Sequence, residues 1–144
     1  MDQATSRYDS FEIGDSAEQT KVITEEMIHA FADLSGDYNP LHTDEEYAST
    51  TQFGKRIAYG TISNALISSV IGMKLPGKGA LYLSQNVAYK KPVFLGDTLT
   101  AKGEVVEKFT KRDGELKFLR LKTDVYNQEG VTVTEGEAVV LLMD

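Results

Sequence analysis

The stretch GDYNPLH, residues 36–42, places an aspartate and a histidine five positions apart. A turn needs the glycine, asparagine and proline of this stretch, which leaves Asp37 and His42 to be explained. Pro40 favours an extended conformation at Asn39, so the two side chains can converge on one space. Facing one cavity they could hold a water molecule and move its protons, because histidine titrates near neutral pH. The spacing is therefore compatible with addition or removal of water. A turn-capping Asp37 beside a structural His42 is the alternative.

Other kinds of catalytic site find less support in the sequence. The chain has no cysteine, which excludes a disulfide framework, a thiolate metal site and a cysteine nucleophile. His29 is the other histidine, and its place beside the apolar pair of a helix predicts a solvated or structural role. No spacing typical of metal ligands occurs, and no GxSxG motif marks a serine nucleophile. We expect neither a metal nor an organic cofactor.

Length and composition predict one globular domain spanning residues 1–144. Hydrophobic residues make up 41% of the chain and charged residues 26%, a balance typical of a folded, soluble protein. The net charge of -7 and the pI near 4.8 disfavour nucleic acid as a partner. The first residues, MDQATSRYDS, lack a basic start and an apolar run. We therefore expect a cytoplasmic protein without a membrane anchor.

Three helical segments surround the aspartate–histidine motif. The first follows Thr24 as its cap and ends at Gly36. A second, short helix is predicted after His42, with Thr43 and Glu46 in capping-box spacing. The third begins at Gly60, and its apolar positions lie nearly all round, which predicts burial on most sides: Ile62, Ala65, Leu66, Ile67, Val70, Ile71 and Met73. Free main-chain amides at the start of such a helix could bind an oxyanion.

The second half of the chain changes to the alternating pattern of strands. Residues 81–89 alternate, and longer extended runs cover 98–109, 116–127 and 131–142. The last three are joined by KRDGE and NQEG, both typical of hairpin turns. A further strand is predicted near residues 18–23. Helices packed on one antiparallel sheet make the expected class α+β.

The order of three stretches carries a resemblance to a known family. DYNPLH is followed by RIAYG at the start of the buried helix, and then by LPGKGALYLSQNVAYKKPVFLGDTL. Together they resemble the MaoC-like (R)-specific enoyl-CoA hydratases, over most of the chain. The resemblance implies a hot-dog fold, in which a curved antiparallel sheet wraps a long central helix. It also implies association with a second subunit, as a homodimer or a dimer of dimers.

The resemblance further implies an activity and the residues that carry it. Relatives add water to trans-2-enoyl-CoA, giving (R)-3-hydroxyacyl-CoA, and also run the reverse dehydration. Asp37 and His42 match the family's catalytic pair, and Gly60 matches the glycine whose amide binds the thioester oxygen. Ser68 aligns with a serine at the family's active site, and with Asn39 it is expected to orient groups.

Two further positions are assigned to substrate binding. Leu41 is a candidate for lining an acyl tunnel, although plain core packing is equally compatible with its type. Tyr59 stands where relatives often have histidine, a departure that affects any side-chain contact with substrate there. The alternatives are a dehydratase acting on acyl groups held by acyl carrier protein, an acyl-CoA thioesterase, and a non-catalytic acyl-binding subunit.

Overall fold

A computed structural model describes residues 7–144 and shows helices packed against one antiparallel sheet. The helices are α1 (Arg7–Ser10), α2 (Glu25–Ser35), α3 (Pro40–Thr43), α4 (Glu45–Ser49) and α5 (Thr61–Met73). The strands are β1 (Ser16–Val22), β2 (Ala80–Tyr89), β3 (Thr98–Lys111), β4 (Leu116–Tyr126) and β5 (Thr132–Leu142). The predicted α+β class and all five predicted strands are confirmed.

The sheet has the order β1-β3-β4-β5-β2, with every neighbouring pair antiparallel. Strands β3, β4 and β5 follow one another through the two hairpins that the sequence predicts. In the first turn Arg112 and Asp113 have φ of 53° and 56°. In the second, the side chain of Asn127 accepts hydrogen bonds from the amides of Glu129 and Val131. Short polar turns therefore set the order of the meander.

Helix α5 is the central helix, and strands β1 to β4 all contact it. One side of the helix is buried, including Ile67 and Val70, which are each 1% exposed. The sequence predicts that α5 is buried on most sides. This prediction is wrong for the opposite side of the helix, where Ala65 is exposed and Met73 is 78% exposed. The sheet covers a single side of the helix. An open face therefore runs along α5 in the isolated chain.

The segment around the aspartate–histidine motif differs from the prediction in one respect. Helix α2 begins after Thr24 and ends at Gly36, as expected. Pro40 begins a helical turn of its own, α3, which includes Thr43. The cap of the next helix is consequently Asp44, whose carboxylate accepts from the amide of Tyr47 at 3.1 Å, and the predicted Thr43 cap is wrong.

Within residues 7–144, none of the helices has the length and apolar character that crossing a membrane requires.

Gly136 on β5 tests how tightly the strands pack. A Cβ added there would overlap the carbonyl oxygen of Asn86 and lie 2.7 Å from Gln85 Nε2. Because a strand backbone has to move, we expect Gly136→Ala to lower the free energy of unfolding by about 2 kcal/mol, measured by urea denaturation. Gly103→Ala is the matched control, since its nearest neighbour is a side-chain methyl of Val70 at 3.2 Å, which needs to move by only a few tenths of an ångström. Equal losses from both substitutions would contradict this account.

Candidate active site

The ring of His42 is held in a fixed orientation by the main chain. Its Nδ1 lies 2.7 Å from the carbonyl oxygen of Ile57. A carbonyl can only accept, so Nδ1 carries the proton and donates it. In the neutral ring Nε2 is then the unprotonated nitrogen. His42 lines a cavity of about 360 Å³, so this nitrogen is the basic atom that the ring offers there.

Gly60 lines the same cavity and forms the N-cap of α5. Its amide makes no hydrogen bond to any residue in the range 7–144. The first amides of a helix lack partners within the helix and attract negative charge. An added Cβ at this position would lie 3.1 Å from the ring of Tyr89, which closes another side of the cavity. A histidine and an unpaired helix-start amide therefore share one cavity.

Asp37 is connected to this arrangement through Tyr59. The hydroxyl of Tyr59 donates to the main-chain oxygen of Asp37 at 2.5 Å. The Tyr59 ring packs on the ring of His42, with centroids 4.1 Å apart, and on that of Phe31 at 4.5 Å. Tyr59 is 3% exposed, and burial together with the nearby Asp37 carboxylate raises the pKa of its hydroxyl. Tyr59 therefore stays neutral and holds both parts of the motif.

The side chain of Asp37 also serves the turn, as the structural alternative proposes. Its Oδ1 accepts from the amide of Asn39 at 3.0 Å, and the residue is exposed in the isolated chain. Asn39 acts similarly, because its Oδ1 accepts from the amide of Leu41 at 3.0 Å and caps α3. The turn contact occupies one carboxylate oxygen of Asp37, so it does not prevent the other from binding water.

Arg56 connects the motif to two helices. Its guanidinium donates to Glu25 on α2 and to Glu45 on α4, and more weakly to the carbonyl of His42 at 3.4 Å. The hydrogen bond from Arg56 is the main cause of the lowered pKa of Glu25. The Arg56 side chain is 13% exposed, whereas the side chains of Glu25 and Glu45 are 48% and 66% exposed, so water partly screens these contacts. They fix α3 between its neighbours.

The cavity lining does not include Asp37, and the remaining predicted residues also lie away from it. Ser68 is on the open face of α5 and is exposed in the isolated chain. Leu41 is half-buried, and its carbonyl accepts from the amide of Ile57 at 3.4 Å. Tyr59 is committed to the contacts described above. The substrate-binding roles of Asn39, Leu41, Ser68 and Tyr59 stay predictions.

The cavity also contains residues that the sequence analysis did not select. Thr134 on β5 donates to the hydroxyl of Ser63 on α5 at 2.9 Å, and both residues are buried. Tyr89 donates to Asn64 at 2.9 Å. The sequence does give a signal for Ser63, because it is a polar residue one turn after Gly60 in an otherwise apolar helix. Thr134 and Tyr89 give no such signal, because only the sheet brings them to the helix.

The cavity offers few metal ligands. Among residues 7–144 no group of three or more histidine, aspartate or glutamate side chains is arranged to hold a metal ion.

Comparison with known proteins places the chain among enzymes of acyl-thioester metabolism. A family model described as "MaoC like domain" matches residues 11–138. An (R)-specific enoyl-CoA hydratase from Rhodospirillum rubrum is 43% identical over 135 residues, covering 94% of this chain and 90% of the relative. A protein of the same name from Aeromonas caviae is 41% identical over 133 residues, covering 92% and 96%.

A solved structure gives the same relationship in three dimensions. The unliganded R-hydratase PhaJ1 from Pseudomonas aeruginosa aligns with a TM-score of 0.88 and 44% identity, covering 95% of this chain and 85% of that one. The sheet and the central helix are thus arranged as in the MaoC-like hydratases. The predicted hot-dog fold is confirmed.

Removing the Tyr59 hydroxyl tests its part in holding the motif. We expect Tyr59→Phe to lower the free energy of unfolding by about 1 kcal/mol, because a part-buried hydrogen bond to Asp37 is lost. Tyr38→Phe is the control, since its hydroxyl also donates, to Asp33 at 2.6 Å, but on the surface. That change should stay within about 0.5 kcal/mol of the wild type. Denaturant titration compares the two, and a Tyr59→Phe protein as stable as Tyr38→Phe would refute this role.

Proposed function

The chain belongs to the MaoC-like domain family, and we propose that it is a hydro-lyase that hydrates trans-2-enoyl-CoA reversibly to (R)-3-hydroxyacyl-CoA. The observation that carries the proposal is the shared cavity of His42 and Gly60. It combines a nitrogen that can accept a proton with an amide N–H that can donate a hydrogen bond to a developing negative charge. Hydration of an enoyl thioester needs both, because attack of water on C3 moves electrons onto the thioester oxygen.

The amide of Gly60 would bind that thioester oxygen. As water attacks C3, the carbonyl becomes an enolate, and its negative charge is stabilised by the amide hydrogen bond and by the N-terminal end of α5. One such donor typically contributes about 3 kcal/mol to the transition state. The bond forms without reorganisation because the amide is already unpaired. No metal is required for this step.

The Asp37–His42 pair would hold and activate the water. His42 Nε2 accepts a proton from the water as its oxygen bonds to C3, while Asp37 accepts the second hydrogen bond and orients the molecule. The pair then returns one proton to C2 on the same face of the substrate. One water molecule is consumed, and the pair ends in its starting protonation state. The hydrogen bond from Nδ1 to Ile57 would keep Nε2 unprotonated in the neutral ring, so that it can accept this proton.

The other assigned residues would support this chemistry without exchanging protons. Asn39 shapes the turn that presents Asp37 and His42. We place Ser68 among the groups that orient substrate and Leu41 along the acyl chain. Tyr59 would act on substrate through Asp37 and His42, because these are its contacts.

The two acid–base residues can be tested directly with crotonyl-CoA, whose enoyl absorbance falls on hydration. We expect Asp37→Asn and His42→Ala each to lower kcat at least about a hundredfold, because acid–base catalysis is lost. His29→Ala is the matched control, since the imidazole of His29 lies on the surface and pairs with Glu25. It should keep the wild-type rate. A full rate from either site variant would disprove the mechanism.

The same assay separates the alternative activities. A dehydratase specific for acyl carrier protein would turn over the carrier-protein thioester and leave the CoA thioester unchanged. A thioesterase would release free thiol, which a colorimetric reagent detects. A non-catalytic acyl-binding subunit would bind without turnover and keep its affinity in the Asp37→Asn and His42→Ala proteins. Chiral chromatography of the product would establish the (R) configuration.

We further propose that the chain forms a homodimer through the free edge of β2. This strand lies at one end of the sheet and carries no charged residue from Ala80 to Tyr89. Leu81 and Leu83 on it are 43% and 48% exposed. The opposite edge, β1, carries Glu18 and Lys21, which discourage pairing. An uncharged edge of this length is suited to antiparallel pairing with a second copy, and two such dimers could associate further.

Charge placed on the β2 edge should prevent this association. We expect light scattering to give at least twice the mass of the 15.9 kDa chain for the wild type. Leu83→Glu should shift the protein to the monomer mass, because pairing would bring like charges together. Val106→Glu, an exposed aliphatic position on β3, is the control and should leave the mass unchanged. A monomeric wild type, or equal effects of the two substitutions, would exclude this interface.

We also propose a location in the cytoplasm, with no membrane or nucleic acid as partner. The proposal is supported by the composition and charge of the chain. Fractionation of cells that express the protein would test it.

A further inference from the structure

The wall of the catalytic cavity differs in charge from the protein as a whole. The chain has a net charge of -7, but the cavity is lined by two lysines, Lys90 and Lys91, and by no carboxylate. Both lysines follow Tyr89 at the end of β2 and precede Pro92. A positive charge at the cavity attracts anions, which the negative charge of the rest of the protein repels.

The main chain of these two lysines is fixed in place. The amides of Lys90 and Lys91 both donate to the carbonyl oxygen of Val133, at 2.7 and 3.3 Å. Pro92 restricts the backbone of Lys91 to extended conformations. The amide of Ala58, in the loop that leads to Gly60, donates to the carbonyl of Val93 at 2.6 Å. The lysine segment is thereby tied both to the sheet and to the loop that leads to Gly60.

The ammonium groups remain available for a ligand. Lys90 Nζ lies 3.9 Å from a carboxylate oxygen of Glu135, and both side chains are at least half exposed. Such a pair is weak and readily exchanged. Lys91 is exposed and forms no ion pair with any carboxylate in residues 7–144. Neither charge is therefore needed to hold the fold together.

We propose that Lys90 and Lys91 bind the phosphate ester groups of the carrier that brings the acyl chain to the cavity. This inference rests on the proposed function, which places a thioester carbonyl at Gly60. Acyl carriers join the thioester to phosphate through a pantetheine arm, so anionic groups must stay outside when the acyl group enters. Flexible lysine side chains, each with a compact charge at its end, are suited to bind phosphates that lie outside the cavity mouth.

The lysines would act on binding and not on the chemical step. They lie on the cavity wall, but the acid–base atom belongs to His42 and the oxyanion donor to Gly60. An interaction that is equal in the ground state and the transition state changes KM and leaves kcat as it was. Salt should weaken it, because the ammonium groups are exposed to solvent.

A series of substrates with the same crotonyl group tests this binding. The series is crotonyl-CoA, crotonyl-dephospho-CoA, crotonyl-4′-phosphopantetheine and crotonyl-pantetheine, assayed with the wild type and with Lys90→Gln, Lys91→Gln and the double variant. We expect each single change to raise KM for crotonyl-CoA about fivefold, and the double change more, with kcat retained. On crotonyl-pantetheine, which has no phosphate, the variants should match the wild type.

The intermediate substrates identify which phosphate is bound. An effect that persists with phosphopantetheine assigns the lysines to the phosphate next to the arm, which CoA and acyl carrier protein share. An effect confined to crotonyl-CoA and crotonyl-dephospho-CoA assigns them to the nucleotide end of CoA. Lys91→Arg should restore most of the affinity, because it keeps the positive charge.

Lys102→Gln is the matched control. Lys102 also lies 3.9 Å from a glutamate oxygen, that of Glu104, but on another part of the sheet. The substitution Lys102→Gln removes one positive charge, as Lys90→Gln and Lys91→Gln do, and should leave KM for every substrate unchanged. Equal KM effects from Lys102→Gln, or an undiminished effect of Lys90→Gln and Lys91→Gln on crotonyl-pantetheine, would overturn the inference. Failure of the proposed function is distinct, because the wild type would then hydrate none of the four thioesters.

Discussion

The hydrogen bond from His42 to the carbonyl of Ile57 is the contact on which the site depends. It holds the ring and decides which nitrogen of the neutral ring is unprotonated. The contact requires that Ile57, fifteen residues further on, returns to the motif. Two main-chain contacts bring it there: the amide of Ile57 donates to Leu41, and an isolated bridge pairs Ile57 with Phe94. The loop before α5 is thereby held between the motif and the sheet.

Tyr59 adds a second constraint to the same loop. Its ring packs between Phe31 of α2 and His42 of α3, and its hydroxyl binds the main chain of Asp37. One buried side chain thus sets the distance between the two members of the pair. Because Tyr59 directly precedes Gly60, the same segment positions the amide that we propose as the oxyanion donor. The proposed proton transfer and charge stabilisation would therefore both depend on one short stretch of chain.

Strand β2 connects the site to the outside of the molecule. It ends at the cavity with Tyr89, and the lysines that follow carry positive charge on the cavity wall. The same strand forms the uncharged free edge of the sheet. Assembly, carrier binding and catalysis would then all use one continuous segment. This arrangement accounts for apolar residues exposed on β2 and for a positive cavity wall in an acidic protein.

The sequence by itself determined the strands, the hairpins, the central helix and the motif that contains Asp37 and His42. These features depend on residues close together in the chain, through alternation, helical spacing and turn chemistry. Gly60 followed from the start of the central helix, and the resemblance to the family added its expected role in binding the thioester oxygen. The local rules were wrong where a neighbouring element intervened, as at Thr43, which α3 includes.

Only the tertiary structure decided which side chains meet. The bond between Ser63 and Thr134 joins residues 71 positions apart, and no local pattern encodes that encounter. The same holds for the exposure of Met73, which lies where the sheet leaves α5 uncovered. Periodicity reports that a side chain is apolar, whereas burial depends on how far the sheet extends over the helix. Side-chain contacts across the fold are set by packing of distant segments, so they became visible only in three dimensions.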